Sequence, residues 1–223
     1  MHALVIGGSG RCGKLVIDEL LRRGHKVAAL ARNPVALGDP RPGLTIIKGT
    51  PTSLTDVRRS FTPLPDIILV TLSAPRASDS PFAPPVSPPD LMASCNENII
   101  TAMKEFGVRK ILILQALGVG VSWGNMHCLL QLLMGKSNMR FQYDDHNAVE
   151  RVVRESGMDY VFVRPARLIE DETGVEGDKV KVWPENGGKV PLMASARRTG
   201  VARFMVDAAE RNEWDNQAPV ITD

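Results

Sequence analysis

Cysteine is scarce in this chain: Cys12, Cys95 and Cys128 are three thiols in 223 residues. An odd, widely spaced set argues against a disulfide framework, and it forms no metal-ligand pattern, so no metal site is expected. Charge of one sign is also lacking, since 27 Lys and Arg against 25 Asp and Glu leave a net +2. The longest basic runs are the pairs Arg22-Arg23, Arg58-Arg59 and Arg197-Arg198, each suited to a solvated helix end. Without a dense Lys/Arg block, neither nucleic acid nor a membrane is expected as a partner. No apolar stretch is long enough to span a bilayer. The apolar start, residues 1–6, is short and runs straight into glycines, unlike a signal peptide. These absences read as a reduced, soluble, cytoplasmic protein.

What is present is a regular alternation of elements. Residues 3–6 form an apolar run of the kind found in buried parallel strands. Similar runs stand at 26–30, 44–47, 67–72, 108–114 and 160–163. Between them lie helical stripes: Val16, Ile17, Leu20 and Leu21; then Leu54, Val57 and Phe61; then Met92, Cys95, Ile99, Met103 and Phe106. Ser53 and Asp56 have capping-box spacing, Asp90 is placed to cap the next helix, and Asp144 or Asp145 to open the one carrying Val149, Val152 and Val153. A last stripe is Val201, Phe204, Met205, Ala208 and Ala209. Strands alternating with helices imply crossover connections, so the expected fold is α/β, a doubly wound parallel sheet in a single domain spanning 1–223 with a short irregular C-terminal part. There is no internal repeat and no dividing linker. Six prolines between 75 and 89 make 74–90 a long surface loop.

The first strand ends in a glycine-rich turn. Gly7, Gly10 and Gly13 have the spacing G-x-x-G-x-x-G and stand between a strand and a helix. Such a turn must be tight and must let the backbone approach a pyrophosphate, while the helix that follows aims free N–H groups at it. A strand and a helix on either side are the context that turns a weak glycine pattern into a dinucleotide-binding fingerprint, a Rossmann fold. At the end of the second strand, where an acid would read the ribose of NAD, the sequence has Arg32 in Ala31-Arg32-Asn33-Pro34. A guanidinium there suits the 2′-phosphate, which points to NADP(H); the alternative for Arg32 is an ordinary exposed loop arginine.

Residues 4–13 (LVIGGSGRCG), 31–34 (ARNP) and 145–165 (DHNAVERVVRESGMDYVFVRP) together resemble the atypical short-chain dehydrogenase/reductases. Within them the chain is similar to the NAD(P)H-binding proteins around biliverdin reductase B (flavin reductase) and the fungal averufin-oxidase-like proteins. The resemblance implies that Gly7, Gly10, Arg11 and Cys12 cradle the pyrophosphate and that Arg32 faces the 2′-phosphate. Thr50 stands where the family usually carries an acid near the adenine. Leu72 and Ser73 would pass beside the cofactor. Pro165, Ala166 and Arg167 would lie near the nicotinamide, with Gln115 at the end of the fifth strand.

The family's Ser, Tyr and Lys are missing. Gln142 falls at the tyrosine position, His146 at the lysine position, and Gln115-Ala116-Leu117 where a serine is expected. Tyr143 and Asn147 keep the four-residue spacing, shifted by one. His146, with an ordinary pKa near 6.5, is a candidate proton donor; the competing reading is a polar surface histidine at a helix N-terminus. Tyr143 is a second candidate, with packing as its alternative role. Residues 121–142 are rich in Leu and Met and read as a second lid, with Trp123, Met126, Met134, Met139 and Phe141 as walls of an apolar substrate pocket; a core or dimer helix is the alternative. Three activities fit: hydride transfer from NADPH to a hydrophobic carbonyl, quinone, flavin or polyketide-like small molecule; a redox-neutral isomerisation or epimerisation; and a non-catalytic NADP(H) sensor. Oligomeric state is left open.

Overall fold

The computed structural model describes residues 1–78, 80–170 and 180–223; Asp79, inside the expected lid 74–90, lies outside them. Six strands form where the apolar runs stand: β1 (His2–Ile6), β2 (Lys26–Ala31), β3 (Leu44–Lys48), β4 (Ile67–Val70), β5 (Lys110–Leu114) and β6 (Asp159–Pro165). They pair in parallel in the order β3-β2-β1-β4-β5-β6. The chain moves outward from β1 to β3 and then returns to β4 on the other side of β1. Strand order therefore reverses between β1 and β4, where open parallel sheets leave a crevice at the carboxyl ends of the strands.

The helices are α1 (Arg11–Arg22), α2 (Leu54–Arg59), α3 (Leu91–Phe106), α4 (Cys128–Lys136), α5 (Met139–Glu155) and α6 (Arg198–Glu210). Alternate strand side chains point to opposite faces, so each strand feeds two cores. Ala3, Val5, Leu69 and Leu112 pack with α1 and α6 on one face. Leu4, Ile6, Ile68 and Ile111 pack with α2, α3 and α5 on the other. The expected stripe Val201, Phe204, Met205, Ala208 and Ala209 is buried throughout. With both faces covered, the result is a single-domain Rossmann-type α/β fold.

The C-terminal part is not irregular. It holds β7 (Arg167–Ile169), β8 (Lys181–Trp183), β9 (Ser195–Arg197) and β10 (Val220–Thr222). β10 extends the large sheet parallel to β6, β8 joins it antiparallel, and β7 pairs with β9 in a small separate sheet. Three-residue strands are too short to show a period of two, and each is stabilised by a neighbour far away in the sequence.

Helix starts differ from expectation in three places. Asp90 takes a left-handed conformation (φ 56°) and makes no side-chain cap. Instead Asp145 caps α3 from across the core, its carboxylate accepting the Met92 and Ala93 N–H groups at 2.9 Å each. Accordingly α5 begins at Met139, not at Asp144 or Asp145. Ser53 does accept the Asp56 N–H (3.3 Å), but the Asp56 carboxylate reaches the Thr50 N–H (3.0 Å) rather than closing a capping box. The basic pairs also divide. Arg58 and Arg59 are solvated, whereas Arg23 is tied to Glu19, Asp207 and Glu210, and Arg198 is almost wholly covered.

Candidate functional site

The glycine turn is sterically dictated. Gly7 has φ +90°, and a Cβ there would lie 2.7 Å from the backbone carbon of Thr71. At Gly13 a Cβ would lie 2.3 Å from the Gly7 oxygen. These two glycines allow β1, β4 and α1 to close on one another. Gly10 is different, because its Cβ would meet only the Gly7 oxygen, at 3.3 Å. Its lack of a side chain leaves the approach to the helix tip open. Gly10 is also the N-cap residue of α1, with no side-chain cap and no acid in the first turn. The helical ladder starts at the Lys14 N–H to Gly10 oxygen bond (3.0 Å), so three N–H groups precede it at the positive end of the helix dipole.

Two clefts meet above this turn. The narrow one, about 100 Å³, is lined by Gly7, Ser9, Ala31, Arg32, Thr50, Leu72, Ser73 and Cys95, among others. The wide one, about 970 Å³, is lined by Arg11, Ser73, Gln115, Met126, Tyr143, Pro165 and Arg167, together with Leu130, Met134 and Met139. Ser73 and Pro75 line both, so the clefts adjoin and together make a trough across the point of strand reversal. Most of the expected cofactor residues thus lie along one path. Gly10 and Cys12 line neither cleft; they stand at the start of α1, on either side of Arg11, which does. These features fit a dinucleotide: an open glycine bend, uncapped N–H groups, and an exposed arginine at one end of the trough.

The segments expected to cover the site contribute its walls. Ala74, Pro75, Arg76 and Ser78 come from the proline-rich loop, and Met126, Leu130, Met134 and Met139 from the second segment. Helix α4 is not a core helix: none of its residues is buried, and Leu129, Leu132 and Leu133 face outward. Trp123 and Phe141 are not among the residues lining either cleft. Trp123 packs edge-on behind Tyr143, with centroids 5.7 Å apart, and supports the wall without forming it.

The two candidate acids separate in the same way. The Tyr143 hydroxyl donates to the Leu117 carbonyl (3.1 Å), and burial pushes its pKa up to about 12. His146 is not among the lining residues. Burial, reinforced by the charge of Arg164, pushes its pKa down to about 4. The expectation of an imidazole titrating near neutrality is therefore corrected, as is that of a helix N-terminal surface residue. Sequence periodicity could not reveal this, because the burial depends on what packs over α5 and the reinforcing positive charge comes from β6.

That charge belongs to a buried network. Arg164 is fully buried; it donates to Glu150 (2.6 Å) and, through Nε, to the Gln115 side-chain oxygen (3.1 Å). The Gln115 amide in turn donates to the His146 carbonyl (3.2 Å). A buried ion pair is stable only when its remaining hydrogen bonds are made, and here they fix the ends of β5 and β6 against α5. Also missed in the sequence were Arg198 and Glu170. Both line the wide cleft, and they are joined by a 2.8 Å ion pair. The sequence signal was available at Arg198: a cation in the first turn of a helix opposes the helix dipole and calls for a counter-charge.

A profile of the NAD(P)H-binding family matches residues 7–212. Among curated proteins, the reductase PytE of Aspergillus terreus is 26% identical over 251 aligned positions, which take in 97% of this chain and 95% of PytE. Among solved structures, a short-chain dehydrogenase/reductase of Veillonella parvula, determined in complex with NADP, superposes with a TM-score of 0.80 at 14% identity, covering 100% of this chain and 94% of that one. ChuY, an anaerobillin reductase of Escherichia coli O157:H7, gives a TM-score of 0.75 at 17% identity over 100% and 97% of the two chains. The resemblance read from residues 4–13, 31–34 and 145–165 agrees with these matches.

Proposed function

The chain belongs to the NAD(P)H-binding family, and from that membership we propose that it is an NADPH-dependent reductase acting on a hydrophobic small molecule. The observation that carries this reading is the trough made by the two adjoining clefts. Its narrow end holds Arg32, and its wide end is a methionine- and leucine-lined chamber large enough for a substrate beside a nicotinamide. The similarity to PytE over nearly the whole chain supports the same class of reaction.

The roles follow from position. Gly7, Gly10, Arg11 and Cys12 would hold the diphosphate at the tip of α1. Arg32 would take the 2′-phosphate, for which its planar fork is suited; it makes no hydrogen bond or ion pair with any described residue. Thr50, Leu72 and Ser73 would border the adenosine half, and Gln115 and Pro165 the nicotinamide half. Once bound, the cofactor supplies the hydride. Met126, Leu130, Met134 and Met139 exclude water from the reacting centre, and Arg167 stands at the chamber's rim. Tyr143 keeps its proton on Oη at all physiological pH values. It can give that bond to a substrate oxygen only by releasing the Leu117 carbonyl. His146, neutral and away from the lining, positions the α5 backbone through its carbonyl bond to Gln115.

The test is a panel of apolar carbonyl, quinone, flavin and polyketide-like compounds, followed by loss of NADPH absorbance. Turnover with at least one of them is expected. Product formation without net NADPH consumption would reassign the protein to redox-neutral chemistry. Tight NADPH binding with no turnover of any compound would reassign it to sensing.

A further inference from the structure

Arg198 is the first residue of α6, yet its side chain is only 8% exposed, and it points into the wide cleft. Its charge acts on the Cys12 thiol in the first turn of α1, opposing the rise in pKa that burial imposes there. Arg11, the first residue of that helix, lines the same cleft. One carboxylate oxygen, Oε1 of Glu170, lies 2.8 Å from Arg198 and 3.3 Å from Arg11. Two cations from two helix tips thus converge on a single acidic oxygen beside the glycine turn.

We infer that Arg11 and Arg198 form a clamp for the diphosphate of the dinucleotide, and that Glu170 is an internal competitor for that clamp. The inference rests on the cofactor reading above and adds to it a binding residue outside the glycine turn and an acid that opposes binding. Three physical points carry it. A nearly buried arginine at the N-terminus of a helix is opposed by the dipole and needs a strong anion nearby. Glu170 is a weak answer to that need, because its side chain is 67% exposed and exposed ion pairs contribute little. A phosphate group brings more charge and several acceptor oxygens, and arginine pairs with it through two parallel bonds. Exchange of the Glu170 carboxylate for a phosphate at this point is therefore favourable, and it leaves Glu170 in solvent. Before nucleotide arrives, the same carboxylate keeps the two cations from repelling each other.

The experiment is calorimetric titration of the full chain, its Glu170→Gln variant, its Arg198→Met variant and the double variant with NADPH, NADH and adenosine 2′-phosphate. The last compound retains the adenine end and the 2′-phosphate but has no diphosphate. Glu170→Gln should bind NADPH about three- to fivefold more tightly and adenosine 2′-phosphate with unchanged affinity. Arg198→Met should bind NADPH about tenfold more weakly, and adding Glu170→Gln to it should restore little. Glu170 is on the surface, so its substitution leaves the fold intact and decides the matter even where Arg198→Met is unstable. NADPH affinity unchanged by Glu170→Gln would overturn the clamp, as would an equal gain for adenosine 2′-phosphate. Absence of heat with both NADPH and NADH in every protein would instead remove the cofactor reading on which the clamp stands.

Discussion

Arg32 and Arg198 both line the clefts, but only Arg32 stood out as a candidate ligand residue from its place in the chain. Arg32 follows β2 directly, and the end of that strand is a fixed readout point in this kind of sheet. Arg32→Ala should weaken NADPH binding about tenfold or more while changing NADH binding little, since only NADPH offers a 2′-phosphate to a charge-assisted pair. Parallel titrations with the two coenzymes check this, and equal losses would contradict it. Arg198 was read with its neighbour as a solvated basic pair, because nothing local says that residues 11, 170 and 198 meet. The candidate acids show the same limit. Their spacing was visible, but their protonation depends on burial and, for His146, on Arg164 in β6 as well. With His146 near 4 and Tyr143 near 12, neither changes charge between pH 6 and 8. The rate of hydride transfer at saturating substrate should therefore show no inflection from either group in that range. An inflection near 6.5 that disappears in His146→Gln would return imidazole to the chemistry.

Among the elements, long apolar runs announced themselves and contacts at a distance did not. The strands β1 to β6 were legible because a parallel strand covered on both faces must be continuously apolar. The strands β7 to β10 were not, being three residues each and ordered by pairing rather than by their own pattern. The start of α5 was misplaced because an aspartate before an apolar stripe is the usual N-cap signal. Here Asp145 lies inside its own helix and caps another. Its carboxylate satisfies two of the four N–H groups that α3 cannot bond internally. Asp145→Ala should therefore destabilise the protein by about 1–3 kcal/mol, the cost of losing a cap and leaving buried donors unsatisfied. Asp145→Asn, whose single carbonyl can serve one of the two donors, should lose less. Urea unfolding of the three proteins tests the order, and identical midpoints would show that the α3 tip is satisfied by other means.

At the scale of the whole molecule, acid should loosen the fold in two steps that belong to different faces of the sheet. On the α1–α6 face, hydrogen bonds from Arg22 foremost, and then Arg23, hold the Glu19 carboxyl down at about 2, against an ordinary 4.5. A depressed carboxyl pKa means that the unfolded chain binds the proton more readily. Its stabilisation is complete above about 4.5 and is lost as pH falls toward 2. On the α5 side, burial holds His146 at about 4 against 6.5. The unfolded chain again takes up the proton first, so this contribution is complete above 6.5 and declines as pH falls toward 4. Each shift corresponds to about 3–4 kcal/mol at most by linkage. Asp145 acts in the opposite sense: burial raises its pKa despite the two N–H groups its carboxylate accepts, so here the folded chain takes up the proton before the unfolded one. Wild-type stability is thus the sum of opposed curves, and single variants are needed to separate them. His146→Phe should flatten the urea midpoint between pH 6.5 and 4 and leave the lower window unchanged. Glu19→Gln should lower stability at neutral pH and flatten the curve below 4.5. If stability in the parent protein is constant from pH 7 to 4.5, and His146→Phe does not alter it, the imidazole is not buried in the neutral form.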